Sequence, residues 1–342
     1  MLSLADQYAA ARRCAIILDR KARGRIALRG ADRKTFLHAL LTNDIAGLSS
    51  GAGCYAALLN PQGRFIADMY VFDLGDASLL DVHSDVTAEL LARFDMLIFG
   101  EDVQLGDVTG VWGCLSIQGP ESAAMLASVL DTGGQAGLAA ELDGLGDLAS
   151  LRHTFAGDTA VVARSDEYGA PGYWVYLASA HVASLGAALE LAGATAGAPE
   201  TGELLRIESG RPLFHVDLDE DTIPLEAGLD SRAISWTKGC YPGQEVIVRI
   251  RDRGHGRVVR RLVGLRGDGP DVPERGARIE ADGKDVGTIT SAAWSPALES
   301  AVALGYVHRD FTEPGTRVRI AHKNASLAAT VTPLPFVEGG ER

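Results

Sequence analysis

The chain holds few cysteines, no two of them at metal-ligand spacing, and none of the short loops that grip phosphate or zinc. Cys14, Cys54, Cys114 and Cys240 are scattered through 342 residues, which excludes a disulfide framework and a zinc ribbon. A Walker A loop, a strand-borne GxGxxG, HExxH, GxSxG and CxxC are all missing, and no histidine stands four residues from another. These absences argue against a zinc or P-loop enzyme, and no metal site is expected. Also lacking is an apolar run long enough to cross a bilayer. The opening residues, "MLSLADQYAAARRC", carry Asp6 and have no continuous apolar segment, so they do not read as a secretory signal. A reducing, cytoplasmic setting without membrane attachment is the expectation.

What is present is an ordinary folded composition, 46% apolar and 23% charged. The length exceeds what one core fills, so two or three domains are expected. A net charge of −13 opposes nucleic-acid binding over the whole surface. The basic groups are nevertheless bunched. Residues 12–34 carry nine (Arg12, Arg13, Arg20, Lys21, Arg23, Arg25, Arg29, Arg33 and Lys34) against Asp19 and Asp32, and residues 249–261 carry six arginines against Asp252. Two such islands in an acidic chain fit a bounded anionic ligand, or a solvated rim of scattered ion pairs.

Periodicity predicts a strand at 24–30 and a helix at 31–45, with Phe36, Leu37, Leu40 and Leu41 on one face and Asp32 as cap. Residues 54–74 read as a hairpin turning at Asn60-Pro61-Gln62-Gly63. "ASLLDVHS" continues the strands and residues 86–99 read as a helix. "VWGCLSIQG" then reads as a strand and "PESAAMLASVL" as a helix with Pro120 in its first turn. The Gly/Ala/Asp-rich stretch 131–150 reads as a connector. "TAVVARS" and "YWVYLAS" pair as strands before the helix "AHVASLGAALELAGA". Another helix around 202–210 leads into a long irregular stretch, a length of loop that usually serves function. Beyond Gly256 every run is short and β-rich, which predicts a small antiparallel barrel or sandwich. Helices and strands mix without a βαβ rhythm, so the class is α+β.

One stretch stands out, "KGCYPGQEVIVR" at 238–249. Cys240 there could be a packed thiol, a metal ligand, a nucleophile or a redox-sensitive contact. Gly239 and Gly243 let the backbone turn sharply and a ligand come near. If Pro242 opens a helix, Cys240 sits before exposed N–H groups that would favour a thiolate, and Lys238 would act the same way. "EVIVRI", however, alternates at the strand period and is rich in β-branched residues, so a strand is also open.

"KGCYPGQEV" with Arg249 behind it and "PLEAGLD" upstream resembles the YgfZ-type folate-binding proteins, relatives of the glycine-cleavage T-protein (aminomethyltransferase), some of which assist iron–sulfur proteins. "LRGADRKTFLHALLTNDI", "LLNPQGRFIADMYVF" and "LLRIESGRPLFHVDL" follow in the family's order, so the likeness covers nearly the whole chain. It implies a T-protein-like multi-domain ring of two mixed α+β modules and a C-terminal antiparallel β-barrel around a central channel. The expected divisions are a folate-binding module at 1–115, a ferredoxin-like module at 116–200, a returning segment at 201–255 and the barrel at 256–342.

The implied cofactor is tetrahydrofolate. "LLRIESG" matches the element whose glutamate holds the pterin, which assigns that part to Glu208; the alternative is a helix-surface glutamate paired with Arg206 or Arg211. The T-protein pair of aspartates is reduced to Ala67 and Asp68, and its Gly-Glu-Asp-Gly loop is replaced around Ala170 and Pro171. Arg206, Lys238, Gln244 and Arg249, which flank the two motifs, are added as further folate contacts, and Cys240 as the reactive group facing the channel. The expected function is a tetrahydrofolate-binding accessory to iron–sulfur cluster assembly or repair, with iron–sulfur proteins or their assembly machinery as partners. The competing readings are a folate-dependent aminomethyl- or methyltransferase, and a non-enzymatic adaptor docking an acidic partner or RNA.

Overall fold

A computed structural model of the chain describes residues 2–130, 137–165, 167–323 and 325–337. The hairpin expected at 54–74 anchors its first sheet. Strands β3 (Gly53–Leu59) and β4 (Phe65–Asp73) turn where the Asn60 side chain accepts from the N–H groups of Gln62 at 2.9 Å and Arg64 at 3.1 Å. With β5 (Ser78–His83), β2 (Arg23–Arg29) and β6 (Gln104–Asp107) they form an antiparallel sheet in the order β3-β4-β5-β2-β6. Ala67, Met69 and Val71 point to a core shared with α2 (Arg33–Leu40) and α3 (Thr87–Asp95), where Phe36 meets Phe94 edge-on at 6.2 Å. Both helices are shorter than expected. The chain is extended at Leu41, which bridges to Leu58. Asp32 does not cap α2 through its side chain; it accepts from the Asp102 N–H instead, at 2.9 Å.

The second sheet runs β11-β1-β7-β10-β9-β8, with β1 (Ile16–Asp19), β7 (Trp112–Gln118), β8 (Ser150–Phe155), β9 (Asp158–Ser165), β10 (Gly172–Ala178) and β11 (Thr195–Ala196). Helices α4 (Ser122–Val129), α5 (Leu138–Asp143) and α6 (Val182–Leu191) share its core. Pro120 precedes the α4 cap, Glu121, rather than opening the helix. The expected connector at 131–150 contains α5, held by buried Leu138 and Leu142; its residues 131–136 lie outside the described ones.

Helix α1 (Leu4–Arg13) opens with a reciprocal Ser3–Asp6 capping box and lies against α7 (Pro199–Glu208), whose first residue is a proline that needs no N–H partner. After an irregular stretch come α8 (Asp230–Ala233) and α9 (Gln244–Asp252). "EVIVRI" is thus helical, and the helix begins at Gln244 behind left-handed Gly243, not at Pro242. The expected C-terminal barrel closes from β12 (Arg260–Gly267), β13 (Arg278–Ala281), β14 (Lys284–Ser295), β15 (Ser300–His308), β16 (Arg317–His322) and β17 (Ala325–Thr332), in the order β12-β15-β14-β13-β16-β17. Period-two alternation sends Ile279, Val318, Ile320 and Val331 inward. Closure leaves no strand edge to manage. Among the described residues no helix is long and apolar enough to cross a membrane.

Candidate functional site

The two sheets meet face to face over a layer of aromatic rings. Alternation along β4 sends Ala67 into the apolar core and Asp68, Tyr70 and Phe72 the other way, toward Trp174 and Tyr176 of β10. The missing second carboxylate is therefore on the side that faces helices, and Asp68 is the one that faces the rings. Asp68 is only 5% exposed. Its Oδ2 accepts from the Tyr55 hydroxyl at 2.6 Å, while its Oδ1 is buried with no partner among the described residues.

Guanidinium groups lie over these rings: Arg232 over Tyr55 at 5.2 Å, Arg23 over Tyr70 at 5.5 Å and Arg20 over Trp174 at 4.0 Å. Asp81 holds two of them, accepting from Arg23 Nε at 2.5 Å and Arg20 Nη2 at 3.3 Å, with the Tyr176 hydroxyl on its other oxygen at 2.8 Å. Glu167 takes the remaining side of Arg20 at 2.5 Å. Burial alone would raise the Asp81 carboxyl, but the two guanidiniums outweigh it and hold it below its ordinary 3.8. Burial, then the neighbouring carboxylates Asp68 and Glu167 respectively, push Tyr55 and Tyr70 up, so both phenols remain proton donors. Beside the bare Asp68 Oδ1 acceptor, Trp174 Nε1 and Arg20 Nε are buried donors without a partner among the described residues. Native interiors seldom leave such atoms unmatched. The cluster thus holds one bare acceptor and two bare donors among aromatic faces.

Of the residues expected from sequence, only Asp68 lies in this cluster. Glu208 ends α7, fully buried, and accepts from Tyr8 at 2.9 and 3.1 Å, from Ser295 at 2.6 Å and from Arg12. Those contacts occupy both carboxylate oxygens, so a pterin contact there would require Tyr8, Arg12 or Ser295 to give way. The alternative pairing with Arg206 or Arg211 is not what its carboxylate makes. Arg206, expected as a folate contact, is engaged within the protein. Its five N–H donors go to both oxygens of Glu203, the Arg211 carbonyl, Asp217 and Ser291, leaving none for a ligand. Lys238, also expected as a folate contact, is likewise engaged: its ammonium donates to the carbonyls of His38, Leu41 and Asn43, around the end of α2. Burial draws its pKa down to about 8, against the opposing pull of Asp44 and Cys54.

Gln244 is the first residue of α9, and Arg249 is exposed on the same helix. Cys240 is exposed on the loop ahead of it. The first basic island is split by folding: Arg20, Arg23 and Arg25 are buried, whereas Arg13, Lys21 and Arg29 stay exposed. The second does, with Arg249, Arg251, Arg253, Arg257 and Arg261 all exposed. Sequence reasoning missed Tyr55, Tyr70, Trp174, Arg20, Arg23, Asp81 and Glu167. The available signal was Asp81, a lone carboxylate inside the apolar strand "SLLDVH", which demands a buried cation.

Two face-to-face α+β sheets with a closed antiparallel barrel define a three-module class, and the comparisons fix the family. Residues 2–238 match the GCVT N-terminal domain and residues 260–338 the glycine cleavage T-protein C-terminal barrel domain. The chain belongs to the glycine-cleavage T-protein family. It is 32% identical over 330 residues to an aminomethyltransferase of Rubrobacter xylanophilus, covering 96% of this chain and 85% of that protein. An aminomethyltransferase of Streptomyces coelicolor is 31% identical over 338 residues, covering 97% and 88%. The crystal structure of glycine cleavage system aminomethyltransferase T from Bartonella henselae superposes with a TM-score of 0.87 at 24% identity, covering 98% of this chain and 90% of that one.

Proposed function

We propose that the chain binds a reduced folate against the Tyr55–Asp68–Tyr70–Trp174 cluster and uses it in one-carbon transfer of the aminomethyl- or methyltransferase type. The observation that carries this reading is the unpartnered Asp68 Oδ1, deep among rings and guanidiniums. A pterin is flat, stacks on aromatic faces, and offers N–H donors to a carboxylate and a carbonyl to Trp174 Nε1 or Arg20 Nε. Tetrahydrofolate supplies the nitrogens that accept or release the one-carbon unit. Asp68 would take or return the proton that moves at such a nitrogen, and Tyr55 would orient the carboxylate. Family membership supports the same reading, since relatives across the whole length are aminomethyltransferases.

The test pairs a fluorescence titration with tetrahydrofolate and an assay of folate-dependent one-carbon transfer, for wild type and Asp68→Asn. Removing the group that moves the proton should slow turnover by ~10²–10⁴-fold, whereas folate affinity should fall far less, because the amide oxygen of the variant still accepts from the pterin. A wild-type protein that does not bind tetrahydrofolate would defeat the reading.

A second reading, the YgfZ-type accessory to iron–sulfur assembly or repair, is favoured by Cys240. The thiol is exposed in the "KGCYPGQE" loop, next to a helix whose arginines face solvent. Folate binding without turnover, together with loss of iron–sulfur enzyme rescue by Cys240→Ala in a deletion strain, would decide for it. Full rescue by that variant would remove the thiol from the function.

A further inference from the structure

His83, Asp85 and His215 each place one ligand atom within 4.8 Å of the others. His83 ends β5, Asp85 follows in the turn Ser84–Val86, and His215 arrives from the irregular stretch leading to the barrel. No search along the sequence at helical spacing could bring them together. The two imidazoles stand 5.3 Å apart between centroids, and His83 Nδ1 is 3.6 Å from Asp85 Oδ2. Donors bound to one zinc ion at ~2.0–2.2 Å lie a little over 3 Å apart in a tetrahedron. The three ligand atoms, within 4.8 Å of one another, have to close by at most ~1.5 Å to reach that spacing.

Position of the third ligand is built into the fold. His215 has φ +65, which non-glycine residues seldom adopt. The turn is tied by its N–H to the Leu218 carbonyl at 2.7 Å, by Arg275 on its own carbonyl at 2.8 Å, and by buried Asp217 accepting from the Leu213 N–H at 3.0 Å. Its ring packs on Phe214 at 4.3 Å and makes no hydrogen bond among the described residues. The neighbouring cation Arg23 is already neutralised by Asp81. Asp85 and His215 are open to solvent, so an ion has a route in.

We propose that His83, Asp85 and His215 bind a late first-row divalent cation such as Zn²⁺, with the remaining coordination position open to water or ligand. Two imidazoles and one carboxylate suit zinc, cobalt, nickel and copper and disfavour magnesium and calcium. Three protein ligands with an open position is the arrangement of a reactive or exchangeable site, not of a closed structural one. The inference rests on no part of the folate reading.

The experiment uses the full chain freed of metal by chelation. Cobalt is titrated while its visible spectrum is followed, and zinc affinity is measured by competition with a chromophoric chelator. Wild type should take up one ion per chain and give the visible absorption of four- or five-coordinate cobalt. His215→Gly, which suits the left-handed backbone, and the exposed substitution Asp85→Ala should each weaken binding by more than the ~10–100-fold that loss of a mere supporting contact brings. Unchanged metal-free melting temperatures would show that both variants fold. Cys240→Ser should leave affinity and spectrum unchanged. The proposal is overturned by wild-type affinity no better than that of His215→Gly. It is equally overturned by a thiolate charge-transfer band that disappears in Cys240→Ser, since the ion would then sit on the exposed thiol.

Discussion

Asp68 and Asp81 occupy neighbouring strands at similar depth and differ in how many partners they have. Asp81 accepts from two guanidiniums and a phenol; Asp68 accepts from one phenol and leaves an oxygen bare. Their substitutions should therefore separate. Asp81→Asn leaves Arg20 and Arg23 short of a buried counter-charge and should cost ~3–5 kcal/mol of stability, read from urea unfolding. Asp68→Asn removes no ion pair, and its stability should stay within ~1 kcal/mol of wild type. The pH dependence follows in sign. The folded Asp81 carboxyl lies below its ordinary 3.8, so the unfolded state binds the proton first. Its contribution is complete above the unfolded value and disappears as pH falls through the folded one, so urea midpoints should drop on acidification below ~4. That drop should be blunted in Asp81→Asn. An equal drop in the variant would assign the acid sensitivity elsewhere.

At the scale of elements, the two motif loops explain each other. Gly63 closes the hairpin turn of β3 and β4 at φ +74, and Gly243 precedes α9 at φ +81. A Cβ on Gly243 would lie 2.4 Å from the Asn60 carbonyl and 3.1 Å from Gly63 Cα; one on Gly63 would press on Val246 at 3.1 Å. The "NPQG" and "CYPGQ" turns thus dock backbone to backbone, and this sets where α9 begins. Gly243→Ala combines that overlap with a left-handed alanine, itself worth ~1–2 kcal/mol, and should destabilise by at least that much. Gly239→Ala meets nothing within 4 Å and should be neutral. Equal tolerance at both sites in urea unfolding would refute the docking.

The same loops mark how much of the fold was legible. The hairpin and the barrel were readable because turn residues and strict alternation announce them locally; α7 was legible in its body, expected around 202–210, but not in its start at Pro199. "EVIVRI" was not, because its local pattern favours neither state; Gly243 and the burial of Ile247 against the first core make it a helix. Nor was α5, concealed in a run of small residues, or the true role of Arg20 and Arg23, whose carboxylates at Asp81 and Glu167 lie far along the chain. Of the candidate site, Asp68 was visible from its motif; the rings around it come from three strands, β3, β4 and β10, far apart in the chain.

For the molecule as a whole, α7 is the shared tie. One of its residues, Glu208, is bonded by α1 through Tyr8 and Arg12 and by β14 through Ser295. Two residues earlier, Arg206 reaches Ser291 of β14 and Asp217, which itself accepts from Thr290. Ile207, between them, packs on Val302 and Leu304 of β15. The barrel is thus joined to the N-terminal part through buried charges as well as apolar contact, and the two should unfold together. Glu208→Ala tests this against the pterin role that the motif implies. If Glu208 is the tie, the variant leaves Arg12 and the buried Tyr8 and Ser295 hydroxyls without their acceptor. Stability should then fall by ~3 kcal/mol or more, with the barrel melting apart from the rest, whereas tetrahydrofolate affinity under native conditions changes far less. Wild-type stability combined with lost folate affinity would return Glu208 to the ligand. The two outcomes cannot coincide, because a carboxylate already accepting from three side chains can bind a pterin only by releasing contacts that hold the modules together.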